Sequence, residues 1–182
     1  MLIPGWLKIQ RVSLFLFAIF GVLLLVHALG YLSSAYIFFA FGDARMGNFY
    51  SEMQEINTGL LYRALLAIVF SLLLFILQLG RHAAGRYTLC IAILVSLTSM
   101  TVSASALLQI AGNRQNYRML DLSALDRFIE LGTIRYREST IVFDLGIAGY
   151  ALFFLAALFM AIAVARNAFS VTEQLPVPEK KS

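Results

Sequence analysis

Four stretches of the chain are apolar for long enough to cross a membrane, and polar segments separate them. They cover residues 12–41, 59–79, 87–111 and 141–165. A membrane-spanning helix needs about 20 mainly apolar residues, so each stretch qualifies. The pattern predicts an all-α integral membrane protein. We expect one domain, residues 1–170, in which four transmembrane helices form a bundle with a structured outer segment between helices 3 and 4.

The first apolar stretch is longer than a membrane requires. Its roughly 30 residues reach about 45 Å as a helix, whereas the hydrocarbon core is about 30 Å thick. The helix must therefore tilt, bend or project, and the sequence GYLSSAY at residues 30–36 is where we expect a bend. A cleaved signal peptide is the competing interpretation, since Lys8 and Arg11 precede the apolar run and LSSA resembles a cleavage site. Because apolar sequence continues to Phe41, a spanning helix is favoured.

The composition is that of a membrane protein, and the chain contains few of the residues and motifs used for catalysis or metal binding. The 182 residues are 60% hydrophobic and 13% charged, with a mean hydropathy of +0.82. Cys90 is the only cysteine, which excludes an intrachain disulfide and a thiolate metal cage. The sequence has no HExxH, GxSxG or P-loop motif and no carboxylate dyad. We therefore predict no enzyme mechanism, metal or cofactor. A bound lipid or quinone remains the alternative.

Basic residues predict the orientation. With four spans, the N-terminus, the connection at residues 80–86 and the C-terminal tail lie on one side. All three lysines fall there, and cytoplasmic loops carry an excess of lysine and arginine. We thus expect a cell-membrane protein with both termini in the cytoplasm, a disordered tail at residues 171–182, and no nucleic-acid partner for its net charge of +4. The basic residues on this side are Lys8, Arg11, Arg81, Arg86, Arg166, Lys180 and Lys181.

The two outer segments carry most of the polar sequence. In residues 42–58, Ser51 and Gln54 have the spacing of a capping box, so a short helix is expected to start there and run into the second span. In residues 112–140, Ser123 resembles an N-cap and Gly132 a C-cap of a short amphipathic helix.

One face of that short helix is a candidate contact surface. Its apolar residues share a face and can rest on the bundle, on lipid headgroups or on a partner protein, and arginines flank them. The candidate partner contacts are Leu125, Phe128, Ile129, Arg127, Arg135 and Arg137.

Arg63 and Asp144 are charged residues inside apolar stretches. Each lies about one turn below the outer surface, on the second and fourth helices respectively. An ionised side chain inside a bilayer costs about 2.5 to 3.5 kcal/mol, and a partner lowers that cost. We expect the two to form an ion pair. Alternatively, Arg63 extends to outer headgroups while the dipole of the fourth helix stabilises Asp144.

Further polar groups lie at a similar depth. Thr98, Thr101, Ser105 and Gln109 follow one face of the third helix. Contact between helices is the commoner role for such a stripe, and a polar cavity is the alternative.

His27 and Tyr31 lie one turn apart in the first stretch and are expected to face Gln109 and Arg63. A hydrogen-bonded structural role is favoured for His27. The only other histidine, His82, lies at the opposite membrane surface, so intrachain haem ligation is not expected, and haem shared between subunits stays open.

Three function classes follow from these features. The first is a non-catalytic subunit or accessory protein of a larger membrane complex, docking through its helices and residues 112–140 onto another membrane protein or a second copy. The second is an oligomeric transporter or channel component with a polar path at Arg63, Asp144 and Gln109. The third is a small membrane enzyme, or a lipid- or quinone-binding protein, with an outer-leaflet pocket.

Overall fold

A computed structural model describes the backbone of residues 4–31, 44–79, 86–125 and 140–172. Within these ranges the chain forms α1 (Pro4–Tyr31), α2 (Ala44–Leu79), α3 (Arg86–Arg118), a 3₁₀ helix (Leu122–Leu125) and α4 (Ile141–Thr172), with no strand. Each of the four α-helices is long and apolar enough to cross a membrane. The prediction of an all-helical chain with four helices of this kind is confirmed.

The four helices pack as a ring in chain order. Each contacts the helix before it and the helix after it, and α4 closes the ring against α1. The pairs α3–α4 and α1–α4 are the most closely packed, whereas α2–α3 is the loosest of the four. Helices α2 and α4 therefore lie diagonally across the ring.

Small residues and aromatic rings bring α1 close to its two neighbours. Phe17 and Phe153 stack with ring centroids 4.4 Å apart between α1 and α4. Between α1 and α2, the hydroxyl of Ser71 donates to Phe17 O at 3.3 Å and to Ala67 O at 2.7 Å. A methyl group added at Gly21 would lie 3.3 Å from that hydroxyl, so the glycine permits the contact.

Helix α2 starts well before its apolar part. The capping box predicted at Ser51 is wrong, because Ser51 lies inside the helix and its hydroxyl donates to Gly47 O at 3.1 Å. The helix extends back to Ala44 because Met46, Phe49 and Met53 are buried there. Tertiary burial thus overrides the local capping signal.

Aromatic contacts hold the polar ends of α2 and α3 together. Tyr117 of α3 lies between Phe49 of α2 and Phe143 of α4, with ring centroids 5.8 Å and 5.3 Å away. All three rings are buried. This packing explains why both helices continue beyond their apolar stretches, and we call the paired ends, residues 44–58 and 112–118, the α2–α3 extension.

Asp121, rather than Ser123, caps the short 3₁₀ helix. The carboxylate of Asp121 accepts the backbone N–H of Ser123 at 3.0 Å, so Ser123 lies inside this 3₁₀ helix. Hydrogen bonds from the Ser123 side chain and backbone lower the pKa of Asp121. The helix expected to end at Gly132 falls in residues 126–139, outside the described part.

Several other predictions also fall outside the described residues. Helix α1 continues through Gly30 to Tyr31, so the helix does not end at that glycine, and the rest of the expected bend lies in residues 32–43. Leu125 ends the 3₁₀ helix, but its side chain is not described. The remaining candidate partner contacts lie wholly outside: Phe128, Ile129, Arg127, Arg135 and Arg137.

Candidate functional site

Arg63 of α2 is bound to α3. Its Nη1 donates to Oε1 of Gln109, which links the two most loosely packed helices. The hydrogen bond gives the guanidinium a polar partner where α2 is otherwise apolar.

Asp144 of α4 is bound to a different arginine. Its Oδ1 lies 2.8 Å from Nη2 of Arg114 on α3, and its Oδ2 accepts the hydroxyl of Thr140 at 2.8 Å. The predicted Arg63–Asp144 ion pair is therefore wrong. The sequence puts the two residues at matching depth, but α2 and α4 lie diagonally in the ring, and each charge binds to α3 between them.

The two polar contacts lie on different flanks of α3. Gln109 and Arg114 are five residues apart, so their directions differ by about 140° around the helix axis. Gln109 faces α2, whereas Arg114 faces α4. Arg63, Gln109 and Asp144 therefore do not form one cluster.

The polar stripe of α3 lies on the outside of the bundle. Thr101, Ser105 and Gln109 are exposed, and Thr98 is half-buried. The three hydroxyls each donate back to a carbonyl of their own helix, at 2.8 to 2.9 Å. Within the described residues, Gln109 of this stripe bonds to α2, whereas Thr101 and Ser105 are exposed on the outer side of α3. We call Thr101, Ser105 and Gln109, with Arg63 beside them, the polar face.

A second set of polar residues on α3, three serines, packs inside the bundle. Ser96, Ser99 and Ser103 are buried on the other side of α3. They are spaced by three and four residues, as the outer stripe is, so spacing alone cannot tell which set is inside. The close packing of α3 with α4 accounts for their burial.

His27 joins α1 to α4. Its Nε2–H donates to Val142 O at 2.8 Å. A Cβ at Gly146 would lie 2.6 Å from Cε1 and 2.7 Å from Nε2 of the imidazole, so only glycine leaves room for the ring. The bond gives His27 a structural role at the start of α4. Tyr31 ends α1, and its side chain is outside the described residues.

Metal binding has no support within the described part of the chain. It contains no group of three or more histidine, cysteine, aspartate or glutamate residues that could hold an ion. Cys90 is exposed on the first part of α3.

No protein-family model, curated protein or solved structure matches this chain, so its function has to be inferred from its own residues.

Proposed function

We propose that the protein is a multi-pass membrane protein that acts as a non-catalytic subunit of a larger membrane complex. It docks onto another membrane protein through the polar face of α3. The observation that carries the proposal is that Thr101, Ser105 and Gln109 are exposed on the outside of a bundle whose helices are otherwise apolar enough to span a membrane.

Lipid chains give these side chains nothing to bond to. Although the hydroxyls of Thr101 and Ser105 donate to their own backbone, their lone pairs can accept a hydrogen bond from another helix. Such bonds between membrane helices contribute about 0.6 to 2 kcal/mol each. A facing protein helix therefore satisfies this surface better than lipid does.

The shape of the surface also suits a helix. Thr98, Ser105 and Gly112 recur every seven residues, and small residues let two helix backbones approach closely. The exposed Leu108 lies between them as an apolar knob. A seven-residue repeat is the pattern of left-handed helix packing, with a crossing angle near +20°.

The charge of Arg63 is a further reason to expect a partner helix at the polar face. Arg63 is half-buried as a residue, and its guanidinium has Gln109 as a hydrogen-bond partner. A docked helix would shield the pair from lipid and lower the cost of a charge inside the bilayer.

The geometry gives less support to the other two function classes, the transporter component and the lipid- or quinone-binding protein. A transporter path at Arg63, Gln109 and Asp144 lacks continuity, since the contacts of these residues lie on two flanks of α3. A lipid or quinone pocket at His27 and Arg63 is not favoured, because the His27 ring rests on Gly146 and bonds to α4.

The test is the composition of the gently extracted complex. Wild-type protein, taken from its own membrane in mild detergent, is examined by native mass spectrometry beside the double variant Thr101→Leu, Ser105→Leu. We expect the wild type to carry a second polypeptide in fixed ratio and the variant to lose it, because the acceptor groups and the close approach are gone.

The control variant is Val22→Leu, Val26→Leu, which changes two exposed apolar residues of α1. It should keep the second polypeptide. A wild-type monomer without a partner, or equal retention by both double variants, would contradict the proposal.

A further inference from the structure

The end of the bundle opposite the α2–α3 extension is basic. Lys8 and Arg11 lie near the start of α1, Arg86 begins α3, and Arg166 lies near the end of α4. Helices α1 and α3 contain no aspartate or glutamate, and those of α2 and α4 all lie near the helix starts, at the other end. No carboxylate of the described helices therefore offsets these four charges, and we call the four residues the basic end.

The basic residues of α1 and α4 lie at similar depth. The two helices run antiparallel, since His27 rests on Gly146 and Phe17 stacks on Phe153 nearer the basic end. At about 1.5 Å per residue, Lys8 lies about 14 Å and Arg166 about 20 Å beyond this ring pair along the helix axes. Long lysine and arginine side chains can span a difference of about 6 Å, so both reach the same headgroup layer.

The exposed face of α1 changes from apolar to charged at this depth. Lys8, Val12, Phe15 and Ile19 follow one another at spacings of three or four residues, and all are exposed. Only Lys8 is charged, and the exposed Arg11 lies about one turn from it. This face is thus apolar along its length and cationic at one end.

The exposed face of α4 has the same pattern. Arg166, Ile162, Phe159 and Leu155 follow one another at the same spacings, and all are exposed. Because α1 and α4 are one of the two most closely packed pairs, two faces of this kind lie on neighbouring helices. Together they are complementary to an amphiphile with an anionic head and apolar chains.

From this arrangement we infer that the basic end binds an anionic phospholipid of the adjoining leaflet. Lys8, Arg11 and Arg166 donate hydrogen bonds to its phosphate oxygens. Its acyl chains lie along the exposed faces of α1 and α4, against Phe15 and Phe159. This site is separate from the polar face of α3, so the inference goes beyond the proposed function and does not depend on it.

The surface suits a lipid better than a free anion. Lys8, Arg11 and Arg166 are exposed, and water and salt screen exposed charges, which weakens their hold on a small ion. A lipid adds apolar contact with the side chains that continue each face, and it is confined to the membrane beside them. Charge and apolar surface thus act on one ligand.

The probes are phosphatidylglycerol and zwitterionic phosphatidylcholine with identical acyl chains. Binding of each to the purified protein in detergent is followed by native mass spectrometry. We expect the dissociation constant for phosphatidylglycerol to be at least tenfold lower than that for phosphatidylcholine. In Lys8→Gln, Arg11→Gln it should rise at least tenfold, because each basic residue near an anionic surface is worth about fivefold in affinity. The constant for phosphatidylcholine should not change, which shows that the variant is folded.

Two further variants separate the site from net charge and from side-chain shape. Arg45→Gln, Arg118→Gln removes two exposed positive charges at the other end of the bundle and should bind phosphatidylglycerol as the wild type does. Lys8→Arg, Arg11→Lys keeps both charges and should also bind as the wild type does. Equal affinity of the wild type for the two lipids, or equal losses in the two glutamine variants, overturns the inference.

Inorganic phosphate distinguishes a lipid site from a site for the phosphate group alone. At the same concentration as the lipid, it should leave phosphatidylglycerol bound, because it cannot contact the apolar faces of α1 and α4. Displacement of the lipid by phosphate under these conditions would show that the cations alone bind the ligand and would overturn the inference.

Discussion

Gly146 is the residue that lets the imidazole of His27 lie directly against α4. The hydrogen bond from His27 to Val142 O spans the α1–α4 contact, and the missing side chain at residue 146 makes space for it. Leu24 meets Gly149 in the same way, since a Cβ at Gly149 would lie 3.2 Å from Leu24 Cδ2. Two glycines one turn apart on α4 thus set how closely α1 approaches.

The first prediction concerns Gly146→Ala. The added methyl would overlap the His27 ring, so the ring must move and its hydrogen bond is lost. We expect the free energy of unfolding to fall by about 1 to 3 kcal/mol. It is measured by denaturant titration in one fixed detergent.

Gly59→Ala is the matched control for this change. Glycine 59 lies inside α2, and a Cβ there meets no atom within 4 Å, so alanine should stabilise the helix by about 0.5 to 1 kcal/mol. Equal effects of the two substitutions would show that the His27 ring does not rest on Gly146. Adding His27→Ala to Gly146→Ala should recover part of the loss, because the clash disappears.

Individual residues show how far the sequence could predict the site. The depth and the polar character of Arg63 and Asp144 are visible in the sequence, but their partners are not. Partner choice depends on which helices are neighbours and on how each is rotated. The same limit applies to α3, where the buried Ser99 and the exposed Thr101 belong to stripes of similar composition.

At the scale of the elements, the apolar stretches predicted the helices better than they predicted the helix ends. Helix α2 begins at Ala44 rather than near residue 59, and α3 continues to Arg118 rather than ending near residue 111. Hydropathy reports the part of a helix that lipid can surround. The ends depend on the contacts of Tyr117 with Phe49 and Phe143, which no local pattern reveals.

The second prediction tests the ion pair between α3 and α4. In a double-mutant cycle, Arg114→Ala and Asp144→Ala should show a coupling energy of about 0.5 to 1 kcal/mol. That modest value is expected because the two side chains are 31% and 44% exposed. The cycle of Arg63→Ala with Asp144→Ala should give a coupling near zero, since Arg63 binds Gln109 instead.

The comparison of the two cycles decides which helix supplies the arginine. Both use Asp144→Ala, so any general effect of losing that carboxylate is common to them. A larger coupling for Arg63 than for Arg114 would place α2 next to the start of α4 and contradict the ring order.

At the scale of the whole molecule, the ring order was the information that the sequence lacked. Four spans joined in series fix which helix ends share a membrane surface, and that part of the architecture follows from the number of spans. They do not fix which helices face each other across the bundle. The separation of the two polar contacts follows from that order, because Gln109 of α3 bonds to α2 and Arg114 of α3 bonds to α4.

The last prediction concerns the orientation of the bundle. Because α3 and α4 are antiparallel neighbours, Gln115 near the end of α3 and the chain's C-terminal end should lie on opposite sides of the membrane. All three lysines lie near the chain termini, which favours a cytoplasmic position for both termini.

The orientation is tested by cysteine labelling in a Cys90→Ser background. Because Gln115 is exposed, an impermeant maleimide should label Gln115→Cys in intact cells. It should label Ser182→Cys only after permeabilisation. Neither substitution changes a charge, so orientation itself is not disturbed. Labelling of both sites in intact cells would contradict a single span, α4, between residues 115 and 182. The reverse pattern would invert the bundle and place the α2–α3 extension on the cytoplasmic side.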